Sequence, residues 1–121
     1  MNPHTMCSGW MWNSNSSPSW LENFYQKVVQ CIGGKSKSVP LRPDIMVLKG
    51  ARNCQDILSR GLNVETVIEC KNQQYQYWRS SINTQILPYK CIFNPNKMIL
   101  ASMEPIPSTV KTQLSNKGVI T

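Results

Sequence analysis

The sequence predicts an α/β domain, and three observations lead to that class. Residues 64–68 form a short run rich in β-branched side chains, which is typical of a buried strand. Apolar residues recur at steps of three and four in residues 20–32 and again in residues 75–89, as they do on one face of a helix. The two patterns alternate, and the expected order is helix, two strands, helix, strand, helix and a short last strand.

The chain length sets the domain organisation. At 121 residues the protein has room for one domain with a core but not for two. Residues 1–17 are rich in Asn, Ser and Met and show no regular period. We expect a poorly ordered tail there, or a docking segment for a protein partner that uses exposed Trp10 and Trp12. The single domain then spans residues 18–121.

The first half of the domain is predicted to contain one helix and one strand, with a third segment left open. Ser19 and Glu22 have the spacing of a capping box at a helix start, and Gly33 supplies the helix stop. Two prolines confine regular strand pairing to residues 44–48. Residues 51–62 leave two alternatives open, a short helical turn or one arm of a hairpin.

The second half begins with the buried strand, and a helix follows it. Asn72 is a good N-cap for that helix, and we expect the stripe of aromatic and aliphatic residues along it to lie in the core. Pro88 is expected to end or kink the helix, because its ring clashes with the preceding turn. A third core strand is predicted at residues 97–103, followed by a short helix at 109–116 and an edge strand at 119–121.

The sequence predicts a cytoplasmic protein without a membrane partner. No apolar run approaches the roughly 20 residues needed to cross a bilayer, and the N-terminus lacks the basic and apolar regions of a signal peptide. The five cysteines form no CxxC motif and no cluster with histidine, so a zinc site is not expected. We expect reduced, mostly buried thiols, as in a reducing cytosol.

The charge balance favours a polyanionic partner. The chain has 13 basic and six acidic residues, a formal net charge of +7, which suits binding to nucleic acid. Solubility alone is the alternative explanation. Asp44 and Glu69 are among the few acidic residues that fall in the predicted core strands, where acidic side chains are rarely placed without a role.

The spacing of three charged residues predicts that they act together in one site: Asp44, Glu69 and Lys71. Glu69 and Lys71 are two residues apart on a strand and therefore share a face. Asp44 follows Pro43 at the head of the preceding strand. An ordinary ion pair between Glu69 and Lys71 at the strand end is the simpler alternative, but it leaves Asp44 unexplained.

The Pro-Asp and Glu-x-Lys motifs just described resemble those of the PD-(D/E)xK nuclease superfamily. In the next helix, Gln85 and Tyr89 are similar to the QxxxY motif of its RecB-like and lambda-exonuclease-like branch, although Pro88 between them departs from a regular helix and could displace Tyr89. The resemblance covers residues 19–121. It implies a restriction-endonuclease-like core, with a small mixed central sheet flanked by helices in the order αβ(β)βαβα.

The same resemblance implies a Mg²⁺- or Mn²⁺-dependent deoxyribonuclease. Asp44, Glu69 and the main-chain carbonyl of Cys70 would hold the metal, since Mg²⁺ prefers hard oxygen ligands. Lys71 would orient or help to deprotonate the attacking water. The Cys70 thiol, on the opposite face of the strand, is expected in the core. Gln85 would lie beside the active site.

DNA contacts are expected around this site, with RNA left open as a substrate. In the resembled branch the tyrosine that corresponds to Tyr89 either supports the active-site glutamine or touches DNA. Lys35, Lys37, Arg52 and Arg60 lie in predicted connections and are candidates for phosphate contacts, with a merely solvated role as the alternative.

Three further alternatives stay open at this point. Glu22 corresponds to a metal-linked glutamate on the first helix of many superfamily members, although its capping role already explains it. A homodimer or a protein partner is compatible with the family. The rival functions are a nucleic-acid-binding module that keeps the fold without turnover, and a subunit that needs a partner for activity.

Overall fold

The structure is a computed structural model and describes residues 4–13, 22–33, 40–51, 53–54 and 64–121. Its strands are β1 (His4–Ser8), β2 (Trp12–Asn13), β3 (Pro40–Leu41), β4 (Ile45–Lys49), β5 (Val64–Lys71), β6 (Lys97–Ser102) and β7 (Val119–Ile120). Its helices are α1 (Glu22–Ile32), α2 (Tyr75–Trp78), α3 (Leu87–Phe93) and α4 (Ser108–Asn116), and a π-helical turn, Ile82–Ile86, leads directly into α3.

Five of these strands form one mixed sheet in the order β1-β4-β5-β6-β7. Strands β1 and β5 both run antiparallel to β4, whereas β6 runs parallel to β5 and β7 runs parallel to β6. Strands β2 and β3 pair with each other outside this sheet. Helices α1 and α3 pack against each other. The predicted class is therefore confirmed as mixed α/β, with a five-stranded mixed sheet flanked by helices.

The core lies where β4, β5 and β6 run side by side. Met46 of β4, Val67 of β5 and Met98 of β6 are buried, and the strand register pairs Val67 with both of the others. Apolar side chains in register across neighbouring strands are the contacts that stabilise a sheet. The same register, continued one residue past the start of β4, sets Asp44 opposite Glu69.

The helix after β5 does not end at Pro88. The chain stays helical from the π turn to Phe93. Pro88 lies directly after the junction of the π turn and α3, and the wider turn before it accommodates the proline ring and its missing N–H. The predicted core stripe is confirmed, since Trp78, Ile86 and Tyr89 are all buried.

The other described elements lie close to their predicted positions. Gly33 has a φ of 75° directly after α1, and its N–H donates to the Val29 carbonyl at 3.1 Å, so the predicted helix stop is present. Strand β6, helix α4 and edge strand β7 are also found where the sequence predicts them. Ser19 and residues 55–62 lie outside the described residues, so the N-cap and the two alternatives for that connection stay predictions.

The described part of the N-terminal segment differs from the predicted tail. Strand β1 pairs along its whole length with β4, from His4 opposite Lys49 to Ser8 opposite Ile45. Trp10 is only 6% exposed and packs edge-on against a buried phenylalanine of α3, with ring centroids 5.6 Å apart. Main-chain hydrogen bonds can hold an edge strand such as β1 in a sheet without a periodic pattern of apolar side chains. The sequence therefore gives little indication of this strand.

Four of the five cysteines lie in disulfides, and the prediction of reduced thiols is wrong. The pairs are Cys7–Cys54 and Cys31–Cys91, with Cα atoms 5.8 and 5.6 Å apart; Cys70 is free. Because disulfides persist in oxidising environments, this pairing argues against the reducing cytoplasm that the sequence predicts. Within the described ranges, no helix has the length and apolar character needed to cross a membrane.

Thiol titration of the folded protein is expected to find one reactive cysteine per chain, and five after unfolding in a reductant. Reaction should be slow at neutral pH, because partial desolvation and then the charges of Asp44 and Glu69 raise the pKa of the Cys70 thiol and leave little thiolate. Cys70→Ser is the control and should lower the native count to zero. Five reactive thiols without reductant would contradict both disulfides.

Candidate active site

Asp44 and Glu69 are locked together across two strands by reciprocal hydrogen bonds. The Asp44 N–H donates to Glu69 Oε1 at 2.8 Å, and the Cys70 N–H donates to Asp44 Oδ2 at 2.8 Å. Each carboxylate thus binds the main chain of the other residue's strand, and each has a second oxygen that these two bonds do not use. The arrangement fixes two acidic groups side by side at one end of the sheet.

Burial makes Glu69 an unusual carboxyl group. Its side chain is 3% exposed, whereas Asp44 is exposed. Desolvation by burial raises the pKa of Glu69 from 4.5 to about 7; the Asp44 N–H lowers it, the Asp44 charge raises it and the Lys71 charge lowers it. An isolated buried carboxylate is unfavourable without a cation beside it. The site therefore favours either a proton or another positive charge at Glu69.

Lys71 is held in place by a neutral partner. It follows Glu69 by two residues on β5 and thus shares its face. Its Nζ donates to Gln85 Oε1 at 3.0 Å, and Gln85 belongs to the π turn that precedes α3. Because an amide oxygen carries no net charge, this bond orients the ammonium without neutralising it. Helical turns of the π type are frequent at functional sites.

These groups line one cavity of about 360 Å³. It is lined by Asp44, Glu69, Cys70, Lys71 and Gln85, together with Gly9, Trp10, Arg42 and Pro43. The structure therefore brings together every residue predicted to act in catalysis or to hold the metal.

Sequence reasoning missed Arg42 and Trp10 as lining residues. Arg42 stands two positions before Asp44, so the alternation of an extended chain could have placed both side chains on one face. Trp10 gave no such signal, because nothing in the sequence ties its segment to the strand that Asp44 precedes. Within the described ranges its Nε1 is buried without a hydrogen-bond partner.

Tyr89 is buried and bonds to the main chain of Arg42, a residue that lines the cavity. It is 3% exposed, and its hydroxyl accepts a hydrogen bond from the Arg42 N–H at 3.2 Å. Burial also raises the pKa of this hydroxyl. Of the two roles predicted for Tyr89, its burial disfavours contact with DNA and favours support, here of the main chain that leads into Asp44.

The Cys70 side chain is exposed and does not lie in the core as predicted. The side chains of a strand alternate between its two faces, and only one face of β5 is fully covered at this end: Glu69 is buried, whereas Ile68 on the other face is only half-buried. Cys70 points to the less covered face. Its thiol is therefore open to reagents.

Several predicted contacts fall outside the described residues. Lys35, Lys37, Arg52 and Arg60 are among these, and the Glu22 side chain is also outside the description. Their roles stay predictions.

No group of three or more His, Cys, Asp or Glu side chains that could hold a metal is found in the described part of the chain. Among the described side chains, the carboxylates of Asp44 and Glu69 would be the ligands of a metal at the candidate active site, with main-chain carbonyls, waters or substrate in the other positions.

Comparisons with known protein families, curated proteins and solved structures found no match for this chain. The functional proposal below therefore rests on the residues and geometry of the candidate active site.

The metal-free protein is expected to lose stability as the pH rises from about 5 to 7.5. Since the pKa of Glu69 is raised in the folded state, folding favours the protonated form; its stabilising effect is complete below pH 4.5 and is lost as the pH rises through about 7. We expect a loss of roughly 2 kcal/mol, a value discounted for screening by water in the cavity. Urea unfolding at a series of pH values in EDTA measures it.

Glu69→Gln is the matched control for this pH dependence. Its amide keeps an oxygen that can accept the Asp44 N–H but does not titrate, so the loss between pH 5 and 7.5 should disappear. Cys70 and Tyr89 also have raised pKa values, but those groups titrate at higher pH. An equal slope in Glu69→Gln and wild type would assign the effect to another group.

Proposed function

We propose that the protein is a metal-dependent nuclease that hydrolyses phosphodiester bonds of DNA. The observation that carries the proposal is the interlocked pair of Asp44 and Glu69, in one cavity with Lys71, whose ammonium donates to the neutral amide oxygen of Gln85. An ordinary ion pair of Glu69 with Lys71 would leave this arrangement unexplained, since the ammonium donates to Gln85 and not to the carboxylate.

The donor set fits Mg²⁺ or Mn²⁺. Asp44 and Glu69 offer hard carboxylate oxygens, and the main-chain carbonyl of Cys70 is the proposed third ligand. A divalent ion would also add positive charge beside buried Glu69, with release of its proton at neutral pH. When bound, such an ion lowers the pKa of a water and offsets the charge that develops on the phosphate.

The remaining chemistry is assigned to side chains of the chain itself. Lys71 orients the attacking water or helps to deprotonate it, and its positive charge stabilises the phosphate as negative charge develops. Gln85 positions Lys71 through the 3.0 Å hydrogen bond. Arg42, exposed at the cavity wall, is suited to a phosphate oxygen of the bound strand.

The proposed fold class is the restriction-endonuclease-like core. Its support is the succession of α1, β4, β5, the helical segment after β5, β6 and α4, with the acidic pair at the ends of β4 and β5. The net charge of +7 suits DNA as the partner. A homodimer or a docked protein partner stays a prediction.

A second candidate is a nucleic-acid-binding module without turnover, or a subunit whose activity needs a partner. Among the residues that the structure describes, only two acidic side chains line the site, and this favours the second candidate, since fewer charged ligands weaken metal binding. The two candidates differ in one measurable property. A nuclease needs a divalent metal ion to act, whereas a basic binding module binds DNA equally well in EDTA.

Incubation with linear, circular, single-stranded and branched DNA, each in Mg²⁺, Mn²⁺ or EDTA, tests the proposal. We expect cleavage of at least one substrate with either metal and none in EDTA. Binding in EDTA with no cleavage under any condition would favour the binding module. Cleavage that appears only on addition of a second protein would identify the partner-dependent subunit.

A further inference from the structure

A second cavity adjoins the candidate active site. It has a volume of about 330 Å³ and shares Cys70, Lys71 and Gln85 with the first cavity. Beyond these residues its wall continues over Asn72 and Tyr77. Because three residues line both cavities, the two are neighbours along one surface. We call the second cavity the flanking groove.

The flanking groove differs chemically from the active-site cavity. The carboxylates of Asp44 and Glu69 line the first cavity and not the second. The polar side chains that line the groove include the amides of Asn72 and Gln73 and the hydroxyl of Ser80. Amides and hydroxyls both donate and accept hydrogen bonds, as the edges of nucleobases and sugars require.

Tyr77 presents an open aromatic ring at this groove. It is 67% exposed, whereas its neighbours Tyr75 and Trp78 pack edge-on against each other with ring centroids 5.1 Å apart. Trp78 Nε1 also donates to the Gln73 carbonyl at 3.0 Å, which ties helix α2 to the end of β5. Tyr77 is therefore carried by an anchored turn, and its own ring is not used in the core.

We propose that the flanking groove binds the nucleotide next to the scissile phosphate, with its base stacked on Tyr77. The inference rests on the proposed nuclease function, because it places that phosphate in the adjoining cavity beside Lys71. Stacking of bases on exposed aromatic side chains is a general mode of binding single strands. A base can use it only after leaving its own stack, so the substrate class is single-stranded DNA or an unpaired end.

Tyr77→Ala and Tyr77→Phe test the stacking site. Affinity for a labelled single strand and for the same sequence in a closed duplex is measured by fluorescence anisotropy with Ca²⁺, and a gel checks that the DNA stays intact. We expect Tyr77→Ala to weaken single-strand binding about tenfold and duplex binding less than twofold, and Tyr77→Phe to match wild type. A 2-aminopurine base in the strand should be quenched by wild type and Tyr77→Phe but not by Tyr77→Ala.

Truncation of this exposed side chain should leave the fold intact, which thermal unfolding checks. Unchanged single-strand affinity in Tyr77→Ala, an equal loss on duplex, or no DNA binding by wild type overturns the stacking site. The proposed nuclease function is tested separately, by measuring DNA cleavage in Mg²⁺ with the same preparations. If the wild type never cuts DNA but Tyr77→Ala still reduces single-strand affinity and quenching, the base-binding site is supported and the proposed enzymatic function is overturned.

Discussion

Asp44→Asn and Glu69→Gln are each expected to lower DNA cleavage by roughly 10³-fold or more. Both variants keep an oxygen that can accept the cross-strand N–H, so the main chain around the site should stay in place while a charged metal ligand is lost. Binding of DNA in EDTA should be equal or tighter, because Asp44→Asn removes a negative charge that repels phosphate and Glu69→Gln removes one that is partly present near pH 7. A pure binding module would show only this second effect.

Cleavage of labelled DNA in Mg²⁺ and calorimetric titration of Mn²⁺ measure the two consequences in the same preparations. Glu65→Gln is the matched control, since Glu65 lies on the same strand but outside the cavity lining. Its Oε2 accepts a hydrogen bond from Asn96 Nδ2 at 2.6 Å. The control should cut and bind Mn²⁺ like wild type. A wild-type cleavage rate in either site variant would remove Asp44 and Glu69 from the mechanism.

Lys71→Ala is expected to lower cleavage by about 10²-fold while Mn²⁺ binding persists, because both carboxylates remain. DNA affinity should fall only slightly. The slope of log affinity against log salt concentration should decrease by the contribution of about one phosphate contact. Gln85→Ala should lower cleavage less, by about tenfold, since the ammonium stays but loses the acceptor that positions it. The order of the two effects separates the acting group from the group that positions it.

Lys97→Ala provides the control for loss of a positive charge. Lys97 is exposed at the start of β6 and does not line the cavity, so its removal should affect DNA binding slightly and the cleavage rate at saturating DNA not at all. Initial rates at saturating and limiting DNA make the distinction. If Lys71→Ala cuts as fast as wild type, Lys71 has only a structural role at the end of its strand.

The acidic pair and its lysine could be predicted because their geometry depends on local rules. Side chains two apart on a strand share a face, which relates Glu69 to Lys71 before any fold is known. Helical spacing likewise relates Gln85 to the buried stripe of its helix. The hydrogen bond between Lys71 and Gln85 connects the strand to the helical segment. These two residues could be expected to lie close together, because the helical segment follows the strand directly in the chain.

Three features could not be predicted because they depend on tertiary packing. The pairing of Cys7 with Cys54 joins positions 47 residues apart, and spacing does not select among the possible partners. Trp10 reaches the cavity wall because it directly follows the edge strand β1. That strand is held by main-chain hydrogen bonds, which need no pattern of side chains in the sequence. The exposure of Cys70 depends on which face of the sheet is covered, and strand alternation alone does not identify that face.

Cleavage of a labelled DNA strand as Mg²⁺ is titrated into EDTA-treated protein tests the nuclease assignment most directly. Wild type is expected to be inactive in EDTA and to gain a saturable cleavage rate as Mg²⁺ is added, while Asp44→Asn from a parallel preparation stays inactive throughout and controls for contaminating nucleases. Full cleavage by wild type in EDTA, or equal cleavage by Asp44→Asn, would contradict a metal-dependent active site at Asp44 and Glu69.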